Sequence, residues 1–134
     1  MHIKFLMTPV KVYHSAFQGK IAALLYLHLG QGEVLAKCAI QTAQGTKVAD
    51  VAWSSTERFN LIKLETQCSI APEICVEILS KSNSQTEIME KMALYFSQGA
   101  LEVWLCSEQG SLNFYNKIQE ITLSQLVPTF PKQL

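Results

Sequence analysis

The stretch from Glu73 to Cys106, EICVEILSKSNSQTEIMEKMALYFSQGALEVWLC, constrains the fold more than any other part of the chain. Ile74–Leu79 is short, apolar and rich in branched residues, which is typical of a strand buried on both faces of a sheet. A helical segment follows, and Glu102–Cys106 has the composition of a second buried strand. A strand-helix-strand unit of this length predicts two parallel strands joined by a right-handed crossover.

A carboxylate interrupts the first of these strands. Alternation along a strand places Cys75, Glu77 and Leu79 on one face, so Glu77 shares its face with apolar side chains. Such a carboxylate either has a raised pKa or is held by a cation, a metal ion or hydrogen-bond donors. Glu77 is therefore a candidate for a metal-binding or catalytic role, and the alternative is a structural pair with a lysine.

The segment after this strand predicts a helix. Ser84 and Glu87 have the spacing of a capping box, and Gly99 is placed to end the helix. Lys91 lies at the margin of the apolar face, one turn from Glu87 and from Tyr95, so it can reach back over the sheet. The alternative for Lys91 is a surface pair with Glu87. The predicted apolar face consists of Ile88, Met89, Met92, Ala93, Tyr95 and Phe96.

The chain before the first predicted hairpin contains one helical pattern. Met1–Tyr13 includes Pro9 and is expected to form a short strand or arm, and His14–Leu29 is expected to be a helix. His14 and Gln18 lie one turn apart on it and are accessory candidates for a site. The alternative for His14 is a capping or surface residue.

A β-hairpin is predicted from Glu33–Gln41 and Thr46–Trp53, which flank a short connection ending in glycine. Its second strand contains Asp50, the only aspartate in the chain, within an otherwise apolar run. Asp50 alone could be a strand-end turn residue. Two carboxylates on neighbouring strands repel each other, however, and a divalent cation between them removes that repulsion, so Asp50 and Glu77 together predict a metal site.

The remaining segments connect or extend the sheet. Ser54–Ala71 is polar and is expected to be the most mobile loop, with at most a short helical turn at Glu57–Leu61. Ser111–Asn116 alternates like an edge strand at which the sheet ends. Two prolines in the tail, Pro128 and Pro131, exclude a regular closing helix.

Composition limits the class of protein. Eleven basic and eleven acidic side chains give a formal net charge of zero, and Arg58 is the only arginine. Contact with nucleic acid must therefore be local or assisted by a metal ion. The 134 residues predict one domain spanning 1–134, and the lack of a signal-like or membrane-spanning run predicts a cytoplasmic protein. The four cysteines lack CxxC spacing and are expected to be reduced core residues: Cys38, Cys68, Cys75 and Cys106.

Three blocks carry a family resemblance: VADVAW, APEICVEILSKSNS and EKMALYFSQGALEVWL. With them, the chain resembles a small bacterial family of putative restriction endonucleases within the PD-(D/E)XK nuclease superfamily. The resemblance implies an α/β, restriction-endonuclease-like fold, in which a hairpin and a β-α-β crossover form a mixed central sheet flanked by helices. In that fold the hairpin strand carries Asp50 and the next strand carries Glu77.

The chain departs from the superfamily motif at two positions. Ala49 stands where proline usually precedes the aspartate, and Leu79 stands where a lysine usually follows the glutamate. The resemblance implies that the lysine has moved to the helix, at Lys91. The chemistry then requires that this helix leans over the two carboxylates.

The resemblance implies Mg²⁺- or Mn²⁺-dependent hydrolysis of phosphodiester bonds, with DNA as the expected substrate. Asp50, Glu77 and the backbone carbonyl of Ile78 are the expected metal ligands, Lys91 is the third catalytic residue, and Ser80 and Glu87 are accessory candidates. A homodimer is expected, with Phe114, Tyr115 and the apolar tail residues Leu126, Val127 and Phe130 partly covered by the second subunit. Two alternatives stay open: a catalytically inactive nuclease fold that serves as a binding or regulatory module, and a structural metal site that needs both acids but no lysine.

Overall fold

The computed structural model describes residues 10–134, so most of the arm predicted at Met1–Tyr13 lies outside the described residues. The first helix begins at Val12, two residues before the predicted start. The elements are α1 (Val12–Leu29), β1 (Glu33–Thr42), β2 (Gly45–Ser54), α2 (Thr56–Ile62), β3 (Ile74–Ile78), α3 (Gln85–Ser97), β4 (Glu102–Cys106), β5 (Leu112–Asn116) and β6 (Glu120–Ile121).

The six strands form one mixed sheet in the order β1-β2-β3-β4-β5-β6. Strands β3 and β4 are parallel, as the crossover pattern predicts, with Ile74 opposite Glu102 and Ile78 opposite Cys106. The other neighbouring pairs are antiparallel. The predicted mixed α/β architecture, a hairpin followed by a β-α-β unit, is therefore confirmed.

Helices α1 and α3 cover opposite faces of the sheet. On the α1 face, Ile21 and Leu25 pack with Val76 and with Trp104, all of them fully buried or nearly so. On the α3 face, the helix packs over Cys75 and the strand residues beside it. Because β3 is covered on both sides, its five residues are all buried, and this burial explains its nearly continuous apolar composition.

Local signals in the sequence account for the ends of the helices. The Ser84 hydroxyl accepts a hydrogen bond from the Glu87 backbone N–H, so the predicted cap of α3 is confirmed. Gly30 ends α1 in the left-handed region, at φ 64°, where a glycine carries little strain. The assignment of Met89 and Ala93 to the buried face of α3 is wrong, because both residues are exposed.

Three expectations about the connections and the C-terminal part were wrong. Helix α2 is seven residues long rather than a single turn, and the Arg58 guanidinium holds its segment by donating to the carbonyls of Ala71 and Gly99. Strand β5 is not the edge of the sheet, because β6 pairs with it. Three of the side chains predicted to face a second subunit are buried within the chain's own core: Phe114, Val127 and Phe130.

Two further expectations concern chemistry rather than topology. All four cysteines are buried thiols without a disulfide, as predicted. Between residues 10 and 134, no helix is both long enough and apolar enough to cross a membrane.

Candidate active site

The candidate site lies where β2 separates from β3. The two strands pair from Trp53–Ile74 to Val51–Val76, and the ladder stops there. Asp50 is the next residue of β2, and its Oδ2 accepts a hydrogen bond of 2.8 Å from the Ile78 backbone N–H. The Asp50 side chain therefore accepts a hydrogen bond from a β3 backbone N–H that the backbone of β2 no longer reaches. This bond holds Asp50 at the point where the two strands separate.

Glu77 shares its face with Cys75, as the alternation of β3 predicts, and α3 covers this face. Its Oε1 accepts a hydrogen bond from Lys91 Nζ at 2.8 Å, and its Oε2 accepts one from the Tyr95 hydroxyl at 2.9 Å. Burial raises the pKa of Glu77 to about 7; the Lys91 ammonium lowers it and the Asp50 carboxylate raises it, so burial outweighs the ion pair. Near neutral pH this carboxyl is consequently poised between its charged and neutral forms.

Lys91 reaches over the sheet instead of pairing along its own helix. Besides Glu77, its ammonium donates to the Val48 carbonyl of β2 at 3.2 Å. The alternative pair with Glu87 is wrong: within the described part of the chain the carboxylate that pairs with Lys91 is Glu77, whereas Glu87 accepts a hydrogen bond from the Asn83 amide at 3.0 Å. Lys91 thus ties α3 to both strands that carry the candidate acids.

Two basic side chains flank Asp50. His14 Nε2 lies 3.3 Å from Oδ2, and Lys37 Nζ lies 3.6 Å from Oδ1. The imidazole of His14 is buried, and its Nδ1 has no hydrogen-bond partner among residues 10–134. Gln18, the other accessory candidate on α1, does not line the cavity described next.

Asp50 and Glu77 open into one cavity of about 550 Å³. Its wall continues along the loop after β3, where the Ser80 N–H donates to the Asn83 side chain at 2.9 Å and the Ser80 hydroxyl pairs with that of Ser82. The residues around it are Val10, Lys11, Tyr13, His14, Asp50, Glu77, Ile78, Ser80, Lys81, Ser82, Asn83 and Glu108. Lysine and carboxylate side chains both line this opening, although the chain as a whole has no net charge.

Sequence reasoning missed two contributors to the site. Tyr95 was assigned only to the apolar face of α3, yet its hydroxyl orients Glu77; its position four residues after Lys91 was the available signal. Burial and the Glu77 carboxylate raise the pKa of Tyr95, so its hydroxyl remains a donor. Lys37 carried no signal in the sequence, because only the pairing of β1 with β2 brings it beside Asp50.

Comparison with known proteins identifies the family of the chain. Residues 4–133 match the sequence profile of the Uma2 family, described as putative restriction endonucleases. The chain belongs to the Uma2 family. The resemblance to a family of putative restriction endonucleases is thereby confirmed.

A solved structure supports the fold of this Uma2 member. The chain is similar to a putative nuclease of the DUF820 family from Anabaena variabilis, with a TM-score of 0.74, 17% identity, and coverage of 97% of this chain and 83% of that one. No curated protein matches the chain in sequence. Over residues 10–134 the Uma2 member thus has the α/β fold of a putative nuclease, with a mixed six-stranded sheet and three helices.

Proposed function

We propose that this Uma2 protein is a Mg²⁺- or Mn²⁺-dependent endonuclease that hydrolyses phosphodiester bonds in DNA. The observation that carries the proposal is the convergence of two carboxylates and one lysine from three elements: Asp50 from β2, Glu77 from β3 and Lys91 from α3. Membership in a family of putative restriction endonucleases and a nuclease-like fold support a nuclease.

The oxygen atoms that Asp50 and Glu77 offer to the cavity suit a hard divalent cation. Asp50 and Glu77 offer carboxylate oxygens to one cavity, and the charge of Asp50 disfavours the ionised form of Glu77. Residues 10–134 contain no cluster of three or more His, Cys, Asp or Glu side chains that could hold a metal, so the protein would supply few ligands. Mg²⁺ is commonly bound by one or two carboxylates and several waters, which matches this sparse site.

In this proposal Asp50, Glu77 and the Ile78 carbonyl hold the ion. Such an ion supplies positive charge to the phosphate and acidifies water. The Ile78 N–H and His14 keep Asp50 aimed at the cavity, and Tyr95 keeps the Glu77 carboxylate in its orientation. Their role is to hold the ligands in place before substrate binds, which lowers the reorganisation needed during the reaction.

Lys91 is the proposed catalytic cation. Its ammonium already lies 2.8 Å from Glu77 Oε1, and its side chain is only partly exposed. From there it would orient the attacking water or stabilise charge that develops on the phosphate oxygens. A compact ammonium with three donors can hold Glu77 and still offer a hydrogen bond to the reacting group.

Cleavage assays on the wild type and on Lys91→Ala test the proposal. Supercoiled, linear duplex and single-stranded DNA, and RNA as a comparison, would be incubated with Mg²⁺, Mn²⁺ or EDTA. We expect metal-dependent cleavage of DNA that Lys91→Ala lowers on the order of 10²-fold with folding unchanged. Lys63→Ala removes an exposed lysine on the C-terminal side of α2 and is the matched control.

Two further variants sharpen the result. Lys91→Arg keeps the charge but not the point geometry, so it should recover only part of the activity. Glu77→Ala should abolish cleavage. A wild type that cleaves no substrate with any metal would instead favour the inactive binding module, and full activity in Lys91→Ala would end the catalytic role of Lys91.

A homodimer is also part of the proposal, because cutting both strands of a duplex calls for two sites or two encounters, and two-fold symmetry supplies two sites. The dimer surface is not the one expected from the sequence, since Phe114, Val127 and Phe130 are buried in the core. Light scattering should give the mass of two chains at micromolar concentration. A monomer at high micromolar concentration would contradict the dimer.

A further inference from the structure

Strand β1 is interrupted at Lys37. Ala36 pairs with Val51 and Cys38 with Ala49, but the facing residues Lys37 and Asp50 form no ladder pair. Lys37 has a φ of 53° and is the only non-glycine residue between 10 and 134 in the left-handed region. The left-handed conformation is strained for a lysine. Its presence at this position indicates that Lys37 has a role other than pairing in the sheet.

The interruption changes which face the side chains of the hairpin occupy. Before it, Val34 packs on the α1 side of the sheet, whereas after it Cys38 and Ile40 pack on the α3 side. Strict alternation would have kept these even-numbered residues on one face. The strained residue thus lies beside Asp50, at the point where the side chains of β1 change faces.

The side chain of Lys37 is placed to meet a ligand. Its ammonium lies 3.6 Å from Asp50 Oδ1, beyond hydrogen-bond distance, and the side chain is 41% exposed. The described residues offer it no hydrogen bond, whereas the Lys91 ammonium already donates to Glu77 and Val48. Lys37 is therefore a cation beside Asp50 whose three donors form no hydrogen bond with the described residues.

We propose that Lys37 binds a backbone phosphate of DNA beside Asp50. The inference rests on the proposed nuclease function and names a further residue that contacts the substrate. A phosphate that approaches Asp50 and Glu77 is repelled by both carboxylates, and an exposed ammonium beside Asp50 offsets that repulsion. Because the chain has no net charge and a single arginine, each local cation carries a large share of the attraction for phosphate.

The test uses Lys37→Gly, since glycine adopts a φ of 53° without strain and the substitution removes only the side chain. Binding of a short fluorescein-labelled DNA duplex would be followed by anisotropy across a range of salt concentrations. Loss of one phosphate contact should weaken Kd roughly 5- to 10-fold near 0.1 M salt and reduce the slope of log K against log salt by about 0.9. The urea midpoint should stay equal or rise, because strain is relieved.

A second readout separates phosphate binding from mere positioning of Asp50. A binding residue raises KM and leaves kcat nearly unchanged, whereas a residue that only holds Asp50 would lower kcat and leave the salt slope intact. Lys37→Arg keeps the charge and should restore the affinity for DNA. Lys63→Gly carries the same charge change on an exposed residue at the C-terminal end of α2 and is the matched control.

The outcomes are distinct. If the wild type binds and cleaves DNA and Lys37→Gly behaves like Lys63→Gly, the assignment of Lys37 is overturned while the nuclease stands. If kcat alone falls, Lys37 is a positioning residue and the phosphate contact is overturned. If the wild type neither binds nor cleaves DNA, the proposed function and this inference both fail.

Discussion

The stability of the protein should depend on pH through Glu77, and Glu77→Gln is the perturbation that reveals it. The side chain is 12% exposed, and burial raises its pKa from 4.5 to about 7. Because the folded state then binds this proton more tightly than the unfolded state, the contribution of Glu77 to stability is lost as pH rises from about 4.5 to about 7. Above that window the carboxylate is charged in both states and the destabilisation is complete.

The magnitude follows from the same shift. Each pKa unit corresponds to about 1.4 kcal/mol. Ionised Glu77 therefore lowers the free energy of unfolding by on the order of 3 kcal/mol at pH 8. Glutamine has no proton to lose, and its oxygen can still accept a hydrogen bond from Tyr95 or Lys91. The variant should therefore gain stability relative to the wild type as pH increases.

Urea denaturation in EDTA at several values between pH 5 and pH 8 measures this difference. The free energy of unfolding of Glu77→Gln minus that of the wild type should increase by roughly 3 kcal/mol over the range, which is a midpoint difference of about 1 to 2 M urea. Glu57→Gln, on the exposed side of α2, controls for the loss of one negative charge. A difference that stays constant from pH 5 to pH 8 would refute the reasoning.

Repeating the urea denaturation with Mg²⁺ tests the metal site. If the two carboxylates bind the ion, Mg²⁺ at pH 8 should stabilise the wild type by mass action and should leave Glu77→Gln nearly unaffected. Equal stabilisation of both proteins would place the ion elsewhere. This measurement needs no substrate and no activity, so it tests the metal site separately from cleavage.

Two other predictions concern carboxylates that accept backbone hydrogen bonds. Asp50→Ala leaves the Ile78 N–H without its acceptor and should lower the free energy of unfolding, measured by urea denaturation, by about 1 to 3 kcal/mol. Asp50→Asn keeps an acceptor oxygen and should lower it less. Equal losses in the two variants would contradict the role of that hydrogen bond. Glu102 is 2% exposed and accepts from the Trp104 indole, the Ser124 hydroxyl and two backbone N–H groups of the tail. Glu102→Ala should lower stability by roughly 3 kcal/mol or more and expose the tail to limited proteolysis, while a tail that stays resistant would show that its apolar contacts suffice.

The sequence alone determined the elements of the central unit and the direction in which its side chains point. Local spacing is enough for such features: period-2 alternation placed Glu77 on the same face as Cys75, and the spacing of Ser84 and Glu87 placed the start of α3. The parallel pairing of β3 and β4 followed from the length of the crossover. The same local signals located Asp50 on the second strand of the hairpin.

Only the tertiary structure decided which groups meet. The angular position of Lys91 on its helix allowed contact with either Glu87 or Glu77, and the packing of α3 on the sheet selected Glu77. Lys37 lies beside Asp50 because the β1–β2 register places the two residues opposite each other, and Asp50 bonds to Ile78, 28 residues later, because β2 leaves β3 at that point. These contacts depend on where strands pair and separate, which is set by the balance of packing over the whole sheet and not by any short stretch of sequence.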